Sequence, residues 1–113
     1  HEDARWLGAE VVLNPNIDWG PDARAQGADY QILGLAHRGT FQQYISIPVH
    51  RLAHKPGHLG MAQAAALPLA GLTAYRATLT QGQASAGKLV LVTGIGGGVA
   101  QWAFALARAA GAT

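Results

Sequence analysis

Hydrophobic and polar residues follow different patterns in the two halves of this chain. The first half holds two strand candidates, a β-branched apolar run at Glu10–Leu13 and a longer run at Phe41–Val49. In the longer run, isoleucine and valine alternate with more polar residues, which is the period of a half-buried strand. Pro48 indicates that this strand lies at the edge of a sheet or ends there. We therefore predict a β-rich first half.

Irregular segments separate these strand candidates. Glycine, proline, aspartate and alanine dominate Asp18–Asp29, which predicts a surface loop. His37–Thr40 predicts a turn, and Pro56, with neighbouring glycines, predicts that His50–Gly60 is irregular.

The second half changes to helical patterns rich in alanine. Met61–Leu67 predicts a short helix, and Pro68 is placed to open a second one that runs to about Thr80. Gly82 follows at the position where a helix commonly ends in glycine. Lys88–Thr93 then predicts a strand, and Gly98–Ala110 a helix that Gly111 ends.

Four glycines lie where that strand leads into that helix. The spacing is Gly94-x-x-Gly97-x-x-Ala100, with Gly96 and Gly98 in addition. Strand, glycine turn and helix in this order present backbone N–H groups to a phosphate, and small residues let the ligand approach the backbone. The pattern therefore predicts dinucleotide binding, against the alternative of a tight turn without a ligand.

Two other motifs are weaker. Gly82–Lys88 matches G-x-x-x-x-G-K, but Leu89 stands where a P-loop needs serine or threonine, and the order of helix and strand is reversed. His50, His54 and His58 have the spacing of zinc ligands on a helix, but prolines interrupt the segment and it has no cysteine or acid. We therefore expect no metal site here, and no catalytic residue is identified.

Charge and composition narrow the function classes. The 113 residues include no cysteine, eight basic and six acidic residues, and no Asp or Glu after Asp29. Without cysteine there is no disulfide or thiol nucleophile, which fits a reducing cytoplasm. The basic residues are scattered, so nucleic-acid binding is not expected. No apolar run is long enough to span a membrane.

Four segments together resemble the medium-chain dehydrogenase/reductase superfamily, most of all its quinone oxidoreductase and zinc-less alcohol-dehydrogenase-like branch. They are Trp6–Pro15, Gly39–Tyr44, Ala64–Tyr75 and Gly87–Ala107. The first departs from the usual pattern by Ala9 in place of Asp, and the second by Gln43 in place of Glu. The last two segments are specific in their order and spacing.

The resemblance implies a mixed α/β chain, with the end of a GroES-like β domain at 1–60 and the first β–α unit of a Rossmann fold at 61–113. Members of the superfamily transfer hydride between NADP or NAD and a carbonyl, quinone or enone. By position, Thr73 is expected near the nicotinamide. The residues expected at the pyrophosphate and adjacent ribose are Thr93, Gly94, Gly97, Gly98 and Val99.

Family members are about three times as long, so we expect this chain to be the middle part of a reductase that forms homo-oligomers. The strand that selects NAD or NADP is expected beyond Thr113. The alternative is a truncated chain without chemistry of its own that folds only as an oligomer.

Overall fold

The computed structural model describes residues 2–35 and 38–113. It divides into two compact units, an N-terminal unit of residues 1–61 and a C-terminal unit of residues 62–113, and each is described by itself. The assignment of 1–60 and 61–113 to particular domains stays a prediction.

Two small antiparallel sheets form the N-terminal unit. Strand β1 (Val11–Leu13) pairs with β4 (Leu52–His54), and β2 (Asn16–Ile17) pairs with β3 (Gln31–Ile32). Short 3₁₀ helices, Glu2–Trp6 and Val49–Arg51, precede β1 and β4. The strand predicted at Glu10–Leu13 is confirmed to within one residue. The prediction that all of 50–60 is irregular is wrong, because β4 lies there.

The strand predicted at Phe41–Val49 is also wrong. Residues 41–48 form no strand, and Val49 begins a 3₁₀ helix. Phe41 and Tyr44 are exposed, so the alternating pattern has no apolar surface to cover. A strand needs a hydrogen-bonded neighbour, and Pro48 has no N–H to offer one. Of the turn predicted at His37–Thr40, His37 lies outside the described residues.

Lys55 joins β1 and β4 at one end of their sheet, next to the Val11–His54 pair. Its side chain is only 7% exposed, and its Nζ donates to the carbonyl oxygen of Leu59 at 2.6 Å and lies 3.2 Å from Glu10 Oε2. The backbone N–H of Lys55 also donates to the carbonyl oxygen of Glu10 at 2.9 Å. A buried ammonium group is stable only with such partners.

We therefore expect Lys55→Met to lower the free energy of unfolding by about 1–3 kcal/mol, because the methionine leaves the Leu59 carbonyl without its donor. Urea denaturation measures the loss. The control is Lys88→Met, since Lys88 Nζ donates to the Gln83 carbonyl at 2.8 Å from an exposed position. Equal effects of the two substitutions would show that burial of Lys55 is unimportant.

Helices form most of the C-terminal unit. They are α1 (Met61–Ala65), α2 (Pro68–Tyr75) and α3 (Gly98–Ala109), and α2 continues into a π-helical segment, Arg76–Gln81. The predicted helices are confirmed, including Pro68 in the first turn of α2. Within residues 2–35 and 38–113, no helix is both long and apolar enough to cross a bilayer.

Gly82 ends the π-helical segment for a reason other than the predicted one. Its φ is −74°, outside the left-handed region in which glycine is favoured. A Cβ at this position would lie 2.8 Å from the carbonyl oxygen of Ala77 and 2.9 Å from that of Thr78. Glycine is therefore required by close backbone approach, as the Gly82 N–H donates to the Ala77 carbonyl.

Small residues let α2 and α3 pack closely. A Cβ built on Gly98, the first residue of α3, would lie 3.5 Å from the Cβ of Ala70 on α2, an ordinary van der Waals distance. The buried residues of the unit are also small: Ala64, Ala74, Thr78, Ala84 and Ala107. The packing thus sets the position of the first turn of α3 relative to α2.

The strand predicted at Lys88–Thr93 is not formed as a ladder. The Thr113 N–H donates to the Lys88 carbonyl at 2.9 Å, and the Val90 N–H donates to the Thr113 carbonyl at 2.8 Å. This is the hydrogen-bond pattern of a parallel pair, but it involves a single residue of the neighbouring segment. Leu89 and Leu91 are 85% and 86% exposed. The predicted strand is therefore wrong, because the segment pairs with a single residue, Thr113, and forms no ladder.

Gly111 closes α3 in a Schellman motif. Its φ is +80°, the Gly111 N–H donates to the Arg108 carbonyl, and the Ala112 N–H donates to the Ala107 carbonyl. A Cβ on Gly111 would lie 3.3 Å from the Cβ of Ala86. Both backbone conformation and space therefore favour glycine, as the sequence predicts.

For Gly111→Ala we expect a loss of about 1–2 kcal/mol in the free energy of unfolding. The matched control is Gly71→Ala within α2, where a Cβ meets nothing within 4 Å and alanine is the better helix former. That variant should gain about 0.5–1 kcal/mol. Urea denaturation of both variants tests the account, and a Gly111→Ala protein as stable as the parent contradicts it.

Candidate functional site

A tight glycine turn leads from the extended segment into α3. Gly94 has φ +67°, the left-handed conformation that residues with side chains rarely adopt. The Gly97 N–H donates to the Gly94 carbonyl at 3.0 Å and closes the turn. Gly97 is extended, with φ −88° and ψ 150°, and α3 begins at Gly98. The predicted turn between residues 94 and 97 is therefore confirmed.

The first turn of α3 is left without a cap. No side chain bonds to it, and it contains no acidic residue. The first carbonyl bonded by the helix is that of Gly97, which accepts from Gln101 at 3.0 Å. Among the described residues, none accepts from the N–H groups of Gly98, Val99 or Ala100. These donors and the helix dipole make the N-terminus of α3 attractive to an anion.

Open space lies beside Gly96 and Gly97, directly before these donors in the chain. A Cβ on Gly96 would meet nothing within 4 Å, and one on Gly97 would meet only the Gly94 carbonyl oxygen, at 3.6 Å. Neither glycine has a positive φ. Packing and backbone conformation within the chain therefore require glycine at 94 but not at 96 or 97. The missing side chains leave room for a phosphate to reach the backbone, so these residues fit a bound dinucleotide.

A cleft of about 510 Å³ continues from the turn along the C-terminal unit. It is lined by four of the predicted site residues, Thr93, Gly94, Gly97 and Val99. Gly98 is outside this lining and faces Ala70 of α2. The predictions that these residues bind a cofactor stay predictions, but the structure brings four of them to one surface.

Thr73 lies on α2, away from that lining. Its side chain is exposed, and its Oγ1 donates to the carbonyl oxygen of Leu69 at 2.8 Å. Such a bond to the preceding helical turn satisfies the hydroxyl donor locally. The hydroxyl oxygen keeps its capacity to accept, and its predicted place near a nicotinamide stays a prediction.

Two cleft residues, Ala77 and Thr78, were missed by the sequence analysis. They belong to the π-helical segment, and Thr78 is buried. The sequence signal for them is weak, because alanine and threonine at helical spacing also describe an ordinary core. Only the close approach of Gly82 to the carbonyl oxygens of Ala77 and Thr78 shows that the backbone of this segment faces the cleft.

The two weaker motifs have other roles. Lys88 is the lysine of the G-x-x-x-x-G-K match. Its Nζ donates to the carbonyl oxygen of Gln83, within the same loop. His50 lies in a 3₁₀ helix, His54 in β4 and His58 in a turn. In the part of the chain that the structure describes, no three His, Cys, Asp or Glu side chains gather as metal ligands.

Comparison with known proteins places this geometry in a family. No family model matches the chain. A zinc-type alcohol dehydrogenase-like protein of Leptosphaeria maculans is 39% identical over 101 residues, covering 83% of this chain and 28% of that protein. A crotonyl-CoA carboxylase/reductase of Cereibacter sphaeroides is 34% identical over 118 residues, covering 96% of this chain and 27% of that protein.

A crystal structure of an NAD-dependent alcohol dehydrogenase matches the fold. Its TM-score is 0.83 with 36% identity, covering 92% of this chain and 32% of that one. The chain belongs to the medium-chain dehydrogenase/reductase superfamily. The predicted mixed α/β class is confirmed, in the fold of an alcohol dehydrogenase.

The chain spans about 30% of the length of these superfamily relatives. Their names include zinc-type alcohol dehydrogenase-like proteins, so the predicted quinone oxidoreductase branch stays a prediction.

The glycine turn itself gives a test of which glycines the fold requires. We expect Gly94→Ala to lower the free energy of unfolding by about 1 kcal/mol, since φ is positive there. Gly96→Ala should change it by less than about 0.5 kcal/mol, because the Cβ enters open space. Urea denaturation measures both. Equal losses would mean that Gly96 is also required by the fold.

Proposed function

We propose that this chain forms part of an NAD(P)-dependent oxidoreductase, and that the N-terminus of α3 holds the pyrophosphate of the nicotinamide dinucleotide. The observation that carries the proposal is the open space beside Gly96 and Gly97, together with N–H groups that have no acceptor among the described residues, those of Gly98, Val99 and Ala100. Membership of the superfamily and the similarity to an NAD-dependent alcohol dehydrogenase support it.

Each predicted residue then has a specific task. The backbone N–H groups of the first turn of α3 donate to pyrophosphate oxygens, and Gly94 fixes the direction of that turn. Thr93 and Val99 would hold the adjacent ribose. Thr73 would lie near the nicotinamide, where its Oγ1 could accept a hydrogen bond while it donates to Leu69. The residues of this unit would position the cofactor, and the cofactor would supply the redox chemistry.

The bound nicotinamide would supply a hydride to a carbonyl, quinone or enone substrate. No Asp or Glu follows Asp29, so the C-terminal unit offers no acidic side chain as a proton donor or acceptor. The part of the reaction that this unit supports is cofactor positioning. NADP and NAD are both compatible with the turn, and we propose a homo-oligomeric cytoplasmic reductase as its setting.

An alternative function rests on the exposed segment beside Thr113. Leu89 and Leu91 are almost fully exposed, although they flank Val90, whose N–H donates to the Thr113 carbonyl. Exposed apolar residues of this kind favour association with another chain. In this alternative, the 113 residues fold as an oligomer and carry out no chemistry.

Fluorescence titration with NADH and NADPH separates the two proposals. We expect saturable binding by the full chain. For Gly97→Ala we expect a dissociation constant at least tenfold higher, because its Cβ would occupy the open space beside the glycine turn. Intact mass and light scattering of the same sample establish the chain length and oligomeric state.

The matched control is Gly57→Ala in the N-terminal unit, where a Cβ also meets nothing within 4 Å. It should bind the dinucleotides as the parent does. If the intact chain binds neither dinucleotide but forms a defined oligomer, the alternative is supported and the cofactor site is wrong.

A further inference from the structure

A second cleft, within the N-terminal unit, carries positive charge. Its volume is about 580 Å³, and Arg38 and Arg51 both line it. The remaining lining is apolar, as at Ile17 and Ile47, or uncharged and polar, as at Tyr44 and Ser46. No carboxylate belongs to the described lining. The cleft therefore has two guanidinium groups and an apolar wall in one lining.

Arg51 is the better fixed of the two arginines. Its carbonyl accepts from the Asn14 N–H at 2.8 Å, and its own N–H donates to the Pro48 carbonyl at 3.0 Å, so its backbone is held between β1 and the preceding turn. The side chain is only 12% exposed. A guanidinium in such a place has five donors and needs acceptors for them.

The acceptor that the chain itself supplies is weak. Arg51 Nη2 lies 3.8 Å from Asp18 Oδ1, at the outer limit of an ion pair and beyond hydrogen-bond distance. The Asp18 side chain is 71% exposed and well hydrated. Among the described residues, no other ion pair or hydrogen bond to the Arg51 guanidinium is found. Its donors therefore stay available to an anionic ligand.

Arg38 adds a second cation at the same cleft. It is exposed, and no residue that the structure describes forms an ion pair with it. Gln42, also in the lining, uses its Nε2 to donate to the Gly39 carbonyl at 2.7 Å, which holds the segment after Arg38 in a turn. The hydroxyl groups of Tyr44 and Ser46 are further donors on this surface.

We propose that the cleft of the N-terminal unit binds an oxyanion, a phosphate or carboxylate group, between Arg51 and Arg38. Arg51 is the buried anchor, and Arg38 closes over the ligand from the exposed side. Charge-assisted hydrogen bonds from arginine to such oxygens are short and strong. The apolar wall at Ile17 and Ile47 suits a ligand whose anionic group is attached to a hydrophobic part. The described lining of the site belongs to the N-terminal unit, and the proposal does not depend on the proposed cofactor.

Nuclear magnetic resonance of the full chain tests this site without any dinucleotide. Inorganic phosphate and acetate are titrated separately at constant ionic strength, with chloride as the balancing anion, while the Nε–Hε signals of the arginines are followed. We expect saturable shifts at Arg51 and Arg38. Preference for phosphate indicates a phosphorylated ligand, and preference for acetate a carboxylate.

Arg38→Gln removes one cation from an exposed position and should leave the fold intact. It should weaken binding about tenfold, the effect of one charge-assisted hydrogen bond. The matched control is Arg108→Gln on α3, which lies outside the cleft and should not change the affinity. Arg51→Lys keeps the charge but loses the forked geometry, and it should also weaken binding.

Shifts that rise linearly without saturation, or that are equal at Arg24 and Arg108, would overturn the proposal. So would an Arg38→Gln protein that binds phosphate and acetate as the parent does.

Discussion

The left-handed turn at Gly94 is the constraint on which the C-terminal unit depends. It reverses the chain after the extended segment, and the hydrogen bond from Gly97 to the Gly94 carbonyl fixes where α3 begins. Packing of Gly98 against Ala70 then holds that first turn against α2. The result is a helix N-terminus with three donors that have no acceptor among the described residues, next to the open space at Gly96 and Gly97.

Local signals made the C-terminal unit predictable. Pro68 opens α2, Gly111 ends α3 with a positive φ, and the glycine turn lies where its spacing indicates, because each of these features depends on a few neighbouring residues. The superfamily resemblance rested on the same segments. The role of Gly82 was misassigned, since contact with the carbonyls of Ala77 and Thr78 follows from a π-helical path that no local pattern indicates.

The strands could not be predicted as well, because pairing is not local. Phe41–Val49 has the better alternating pattern, yet β4 at Leu52–His54 is the segment that pairs with β1. Lys55, which anchors that pair, has no apolar periodicity to reveal it. For the same reason the cleft of Arg38 and Arg51 was missed, since residues 17, 38 and 51 come together only through the fold. The sequence could place Thr73 on the second helix, but only the structure shows that its hydroxyl donates to the Leu69 carbonyl.

The central claim, that the uncapped turn of α3 is an anion cradle for a dinucleotide, is tested most directly at its own amides. Backbone ¹⁵N–¹H spectra of the chain titrated with NADH report on Gly98, Val99 and Ala100 individually. The account predicts saturable shifts at these three amides and at Gly97, with smaller changes in the N-terminal unit. Unchanged amide signals at these positions, at dinucleotide concentrations that shift other residues, would contradict it.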